Sequence, residues 1–188
     1  DFDYASGRTD TRSADTVIAY IRDQDLDLQW ILETHVHADH LSAAPYIQRQ
    51  LGGKIGIGRN ITVVQDTFGK VFNEGTEFQR DGSQFDALFK DGDTYSIGTM
   101  QAFAIHTPGH AGNHLCYRLD EERLLFTGDH VMKWSTSVVS PPDGNMSDYL
   151  ASLQKLYERD DRVYYPAHGP AVTKPRQMVR GMLEARLA

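Results

Sequence analysis

Cysteine is nearly absent from this sequence, since Cys116 is the only one among 188 residues. A single cysteine excludes an intrachain disulfide framework and favours a reducing compartment, so we expect a cytoplasmic protein. Long apolar runs are absent as well: none reaches the roughly 18–20 residues that a membrane helix needs, and no signal-peptide pattern opens the chain. We therefore expect no membrane partner.

Basic residues are also scarce relative to acidic ones, with 19 Lys and Arg against 26 Asp and Glu, which gives a net charge of −7. Nucleic-acid binding depends on neutralising phosphates, so this balance speaks against a nucleic-acid partner and favours a small-molecule substrate. Hydrophobic residues make up 40% of the chain, which is enough for a packed core. The length fits one domain covering residues 1–188.

Helical and strand patterns alternate through the first half, and short strands dominate the second. We predict helices at 13–23, 42–51, 60–72, 147–159 and 174–188, and strands at 26–32, 54–57, 94–97, 101–107, 114–119, 123–127 and 162–165. The segment 73–93 is predicted to be mostly loop, and the Pro141-Pro142-Asp143-Gly144 sequence predicts a long surface loop at 131–145. Helices outside a central set of strands indicate a layered α/β domain.

A histidine-rich motif directly follows the first predicted strand. It reads His35-x-His37-x-Asp39-His40. Alternate residues at a strand end point the same way, so His35, His37 and Asp39 share a side and His40 faces a neighbouring position. A lone histidine is usually a surface or capping residue, but this cluster after an apolar strand predicts a metal site. Imidazole and carboxylate ligands suit both zinc and iron.

Three further candidates occupy turns after later strands, namely His110, Asp129 and His168. Ligands in α/β domains collect at strand ends, and the glycine beside each candidate allows a close backbone approach. With the first motif, these residues supply five histidines and two aspartates. That donor set is sufficient for two metal ions that share a carboxylate.

In this order, the motifs resemble those of the metallo-β-lactamase fold, and the resemblance covers nearly the whole chain. It implies an αββα sandwich with the metals on one rim of the sheets. One metal, taken as zinc, would be held by His35, His37 and His110.

The resemblance implies a second zinc on Asp39, His40 and His168, and we also assign Asp39 as the catalytic carboxylate. Asp129 would bridge the two metals, with a hydroxide between them. Two neighbouring cations make water acidic near neutral pH and stabilise an oxyanion, so no serine or cysteine nucleophile is needed.

Different parts of the chain resemble different branches of this fold. Up to His110, the motifs at 3–9, 33–44 and 81–86 resemble persulfide dioxygenases and glyoxalase II-like proteins. From Ala111 on, the motifs at 128–136, 141–144 and 166–170 resemble hydrolases of the β-lactamase-like 2 endoribonuclease group. One interpretation is a chimera joined near 107–110.

The resemblance also implies a β-hairpin and a strand before the first helix, but only residues 1–12 stand there. We therefore expect a sandwich that lacks the usual N-terminal strands, either as a fragment, as a shuffled chain or with a partner covering the edge. An open sheet edge attracts another chain, so we predict a homo-oligomer.

Four functions follow from these observations. The first is a dinuclear zinc hydrolase of a small ester, thioester or lactone, because all seven ligand types are present. The second is a persulfide dioxygenase with one iron on His35, His110 and Asp129. The third is a phosphodiesterase or endoribonuclease, with Trp134 stacking a base, which the net charge opposes. The fourth is a non-enzymatic scaffold that keeps its metals for stability.

Four other side chains receive structural interpretations. We expect His106 and Cys116 to be packed, His114 to lie beside the ligands or on the surface, and His130 to point away from them. Candidates for the wall of a substrate pocket are Phe72, Phe78 and Trp134.

Overall fold

The structure is a computed structural model that describes residues 1–3, 5–36, 41–75 and 77–187. The helices within these ranges are α1 (Arg12–Asp23), α2 (Ala44–Leu51), α3 (Ile61–Val71), α4 (Met146–Tyr157) and α5 (Pro175–Leu187). The strands are β1 (Phe2–Asp3), β2 (Arg8–Thr9), β3 (Trp30–Leu32), β4 (Lys54–Gly58), β5 (Ala87–Phe89), β6 (Thr94–Ile97), β7 (Met100–His106), β8 (Leu115–Leu119), β9 (Leu124–Gly128) and β10 (Val163–Pro166).

Two sheets form the centre of the molecule. The larger has the strand order β10-β9-β8-β7-β6, in which β6 to β9 are antiparallel and β10 runs parallel to β9. The smaller is parallel, with the order β3-β4-β5. Strands β1 and β2 form a short hairpin of their own.

Three apolar clusters fix the order of the layers. Helices α4 and α5 pack on the outer face of the larger sheet through Leu125, Leu153 and Val179, all fully buried. Aromatic side chains fill the space between the sheets, where the Trp30 ring lies 5.5 Å from that of Phe89. Helix α3 covers the smaller sheet through a third cluster. The predicted αββα sandwich is therefore confirmed.

Several elements begin or end at other residues than predicted. Helix α4, predicted from Ser147, begins at Met146, because the Asn145 side chain caps it by accepting a hydrogen bond from the Asp148 N–H at 3.1 Å. Thr11, and not Ser13, precedes α1, and the strand predicted at 26–32 is confined to its last three residues. The segment 73–93 contains one strand, β5.

Most of the segment 131–145 is exposed, as the predicted surface loop requires, but two points of it are buried. Val131 is fully buried, and Met132 and Ser137 are nearly so. Thr127 Oγ1 donates to the Val131 carbonyl at 2.9 Å and holds the start of the loop against the end of β9. The loop is therefore anchored in the core at its start and again at Ser137.

The larger sheet extends beyond the smaller one on the β3 side. In the described part of the chain, no strand pairs with the second edge of β3. Phe126 of β9 and Tyr165 of β10 stack there at 5.7 Å and are 41% and 42% exposed. A groove of about 590 Å³ between these rings and Trp30 is left open.

We predict that this 188-residue chain self-associates through the β3 edge and the adjoining groove. Unpaired strand edges recruit another chain, and the two exposed rings add apolar area to bury. Light scattering should give a mean mass that rises with protein concentration. Replacing Phe126 and Tyr165 together with serine should lower that mass. A concentration-independent monomer would contradict the prediction.

Candidate metal centre

The candidate residues lie at the carboxyl ends of four strands. His35 follows β3, His110 follows β7, Asp129 follows β9 and His168 follows β10. Strands β7, β9 and β10 run in the same direction, so their carboxyl ends meet at one edge of the larger sheet. The smaller sheet joins that edge where the Leu115 N–H donates to the Thr34 carbonyl at 2.8 Å.

Two glycines let these chain ends approach. Gly128 has φ +50°, and a Cβ there would lie 2.7 Å from Thr34 Oγ1, so the end of β9 can reach the end of β3 only without a side chain. Gly109 has φ +131°, and its Cβ would lie 2.2 Å from the Cα of Tyr149. Helix α4 thus rests directly on the turn that carries His110.

Three buried side chains converge at this edge. His35, His110 and Asp129 are 2%, 5% and 4% exposed, and one ligand atom from each lies within 4.8 Å of the others. The Nε2 atoms of the two histidines are 3.2 Å apart. Asp129 Oδ2 lies 4.0 Å from the His35 Nε2 and 3.8 Å from the His110 Nε2.

The outer nitrogens of both rings are held by neighbours. His110 Nδ1 lies 2.6 Å from the Val138 carbonyl oxygen, which can only accept, so Nδ1 carries a proton and Nε2 is the ring nitrogen turned to the centre. His35 Nδ1 lies 3.0 Å from Thr34 Oγ1. Such outer hydrogen bonds are the usual way in which proteins orient histidine ligands.

This arrangement fits a metal ion by its spacing and its donor chemistry. Two imidazole nitrogens on a tetrahedral zinc lie roughly 3.3 Å apart, since each bond is about 2.0–2.1 Å. The observed separation of 3.2 Å between the Nε2 atoms of His35 and His110 matches that nitrogen–nitrogen spacing. Two imidazole nitrogens and a carboxylate are also donors that zinc and iron both take, and a cation there would balance the charge of the buried carboxylate.

Asp129 connects this cluster to the fourth candidate. Its Oδ1 lies 3.5 Å from His168 Nε2, whereas its Oδ2 faces His35 and His110. The His168 side chain is 42% exposed. The carboxylate thus spans two histidine groups, one buried and one open to solvent. The other sequence-predicted ligands, His37, Asp39 and His40, lie outside the described residues.

The loop after β9 ties the centre to the helices behind it. Ser137 Oγ donates to the Asp129 carbonyl, and the next residue, Val138, orients the His110 ring. The Ser137 carbonyl in turn accepts from the Arg186 guanidinium of α5 at 2.6 Å. The loop at 137–138 and helix α5 therefore set the position of two candidate ligands.

Two more histidines form a buried layer behind the centre. His114 lies 2.9 Å through Nδ1 from Thr107 Oγ1, and its ring is 5.0 Å from that of His35. Burial lowers its pKa well below the usual value, and the surface alternative for this residue is wrong. The sequence could have shown this, because Thr107 and His114 flank the β7–β8 connection and face each other.

His130 and Cys116 complete that layer. The His130 ring lies 4.6 Å from that of Tyr149 and is fully buried, which lowers its pKa to about 3. It packs against the Tyr149 ring and is not one of the three side chains that converge at the centre. Burial raises the pKa of Cys116 to about 12, so this thiol is an inert core residue.

Comparisons with known proteins agree with this geometry. The family model described as the Metallo-beta-lactamase superfamily matches residues 4–168. A probable metallo-hydrolase of Burkholderia pseudomallei is 44% identical over 166 residues, which are 83% of this chain and 56% of the relative. Glyoxylase B2 of Dictyostelium discoideum is 38% identical over 161 residues, covering 84% of this chain and 55% of the relative.

The chain therefore spans about half the length of these curated relatives. Among solved structures, a metallo-beta-lactamase family protein from Thermus thermophilus superposes with a TM-score of 0.72 at 20% identity, over 93% of this chain and 66% of that one. Within the described ranges, no helix is long and apolar enough to cross a membrane.

We predict that His130 makes the stability of the metal-free protein depend on pH. Its pKa is about 3 in the folded protein and about 6.5 when unfolded. Its neutral form is favoured by folding, so its contribution is present above pH 6.5 and is lost as the pH falls towards 3. As the pH is lowered from 6 to 4, the free energy of unfolding should therefore fall less steeply in H130F than in the wild type. The two slopes should differ by up to about 1.4 kcal/mol per pH unit.

Chemical denaturation at several pH values measures this slope. Y149F is the matched control, because it removes the hydrogen bond to the His130 carbonyl without removing a group that titrates in this range. Y149F should lower the free energy of unfolding by the same amount at every pH. Equal slopes in the wild type and H130F would refute the assignment.

Proposed function

The chain belongs to the metallo-beta-lactamase superfamily, and we propose that it is a metal-dependent hydrolase of a small ester, thioester or lactone. The observation that carries this proposal is the division of Asp129 between two histidine groups, with Oδ2 facing His35 and His110 and Oδ1 facing His168. A bridging carboxylate of this kind suits two divalent metals, which we take to be zinc.

The proposed ligand sets are those predicted from the sequence. His35, His37 and His110 would hold one metal, and Asp39, His40 and His168 the other. When bound, two such cations lower the pKa of water and polarise a carbonyl. Asp39 keeps its proposed role as the catalytic carboxylate.

The described residues would contribute orientation and desolvation. The Val138 carbonyl and Thr34 hydroxyl hold the His110 and His35 rings with their Nε2 atoms inward. Burial of these rings keeps bulk water from competing for the ligand atoms. His168, on the exposed side, leaves that side of the centre accessible to a substrate.

Several observations support the substrate class and the location. The net charge of −7 opposes a nucleic-acid substrate, and the relative named as a probable metallo-hydrolase supports metal-dependent hydrolysis. The single buried cysteine supports a cytoplasmic location. The chimera stays a hypothesis; the alignment with the metallo-hydrolase is long enough to run through residues 107–110.

One iron with persulfide dioxygenase activity is the second candidate. The buried cluster of His35, His110 and Asp129 favours it, because two histidines and one carboxylate are the ligand set of many non-haem iron oxygenases. His168 distinguishes the two proposals, since only the hydrolase requires it as a ligand.

We therefore predict that H168A lowers the metal content from about two to about one per chain and reduces hydrolysis at least about tenfold. The first site should stay occupied, because His168 lies on the Oδ1 side of Asp129, whereas the two buried histidines lie on the Oδ2 side. Elemental analysis and a panel of esters, thioesters and lactones measure both effects. K174A, an exposed change six residues further on, is the control.

Full activity or two retained metals in H168A would rule out the dinuclear assignment. One iron per chain in the wild type, unaffected by H168A and accompanied by oxygen consumption with a persulfide, would instead establish the second candidate.

A further inference from the structure

An apolar cavity of about 560 Å³ lies between α3 and the segment that follows it, and Val36, the chain neighbour of His35, contributes to its lining. Its apolar wall is formed by Val36, Ile61, Val64, Phe68, Phe72 and Phe78. The sequence had marked Phe72 and Phe78 for a pocket wall, whereas Trp134 is 78% exposed and is not part of this cavity. The volume is in the range of small-molecule sites.

The wall offers a ligand apolar contacts and little else. The Gln65 side chain is engaged elsewhere, because its Nε2 donates to Gln84 Oε1 at 2.9 Å and its Oε1 accepts from the Gly82 N–H at 3.0 Å. The rings of Phe68 and Phe72 stack at 6.0 Å. Glu74 is the charged residue of the lining among the described residues, so a neutral ligand is favoured over an anionic one.

Exposure of this wall identifies it as a surface that a ligand would cover. Phe72 is 68% exposed, Phe78 43% and Val36 42%. Large apolar side chains grouped in a concave surface gain about 25 cal/mol per Å² when an apolar group removes them from water. Scattered exposed residues need no such explanation, but these three line one cavity.

The cavity adjoins a chain segment that carries a candidate ligand. Val36 directly follows His35, so the two Cα atoms are about 3.8 Å apart. At the other end, Asn60, which precedes α3, donates through Nδ2 to the Gly112 carbonyl at 3.4 Å, in the turn that carries His110. Val36 and α3 are thus each joined to a segment that carries a candidate ligand.

We propose that this cavity binds the acyl group of the substrate, and that the substrate is a thioester or ester of a neutral medium-length aliphatic or aromatic acid. This inference rests on the proposed hydrolase function and names its substrate class. The apolar wall selects for chain length, and Glu74 disfavours acyl groups that end in a carboxylate.

The test is a series of N-acetylcysteamine thioesters with acetyl, butanoyl, hexanoyl and octanoyl groups, assayed with the zinc-loaded protein. We expect kcat/KM to rise roughly fourfold per added methylene, the value for burying one CH₂ group. The octanoyl thioester should also exceed the eight-carbon dicarboxylic analogue by at least about tenfold.

Variants of the two exposed phenylalanines test whether this cavity causes the preference for longer acyl chains. F72S and F78S should each lower the octanoyl-to-acetyl ratio of kcat/KM by about fivefold or more. V63S is the matched control, because Val63 lies on α3, is 62% exposed and does not line the cavity. The octanoyl-to-acetyl ratio of kcat/KM in V63S should stay within about twofold of the wild-type ratio.

A binding measurement separates this inference from the hydrolase proposal. Calorimetry on metal-free protein should show binding of octanamide and not of acetamide, weakened by F72S and unchanged by V63S. If octanamide binds in this way but none of the esters, thioesters and lactones is cleaved, the hydrolase proposal fails and the acyl-binding cavity stands.

Cleavage that is independent of chain length, with no octanamide binding, would overturn the inference and leave the hydrolase proposal intact. Self-association that F72S abolishes and V63S does not would assign the cavity to a second copy of the chain, and would also overturn it.

Discussion

Burial of the Asp129 carboxylate between histidines is the constraint on which the rest of the structure depends. A charged group that is 4% exposed is unfavourable unless an opposite charge compensates it. The two inward-facing imidazoles bring nitrogen donors to the same point, and a cation bound there would balance the carboxylate. This part of the sandwich therefore suits a bound metal, and its stability and its chemistry have the same origin.

Much of the surrounding structure serves to bring those ligands together. Gly128 and Gly109 remove the side chains that would hold β9 away from β3 and α4 away from the His110 turn. Behind them, the neutral His114 and His130 form a layer that places no positive charge beside the ligands. A positively charged residue in that layer would repel a bound cation. Because burial keeps these two histidines neutral, it also preserves metal affinity.

The sequence was informative where the signal is local. Apolar strands followed by Gly-flanked histidines predicted the layered fold and the meeting of His35, His110, Asp129 and His168. The sequence was less informative where contacts between residues far apart in the chain determine the structure. Asn145 could not be recognised as the cap of α4 without its geometry, and the two buried points of the 131–145 loop depend on packing in the core. The position of Phe72 in a cavity depends likewise on how α3 lies on the smaller sheet.

The contact between Arg186 and Ser137 has a consequence for biosynthesis. Residues 137 and 138 hold Asp129 and His110, yet they are themselves anchored by a side chain near the end of α5. Because translation proceeds from the N-terminus, the ribosome releases most of the candidate ligands before α5 can dock. Complete metal loading is thus expected to follow the emergence of α5, which comes after all of the candidate ligands in the chain.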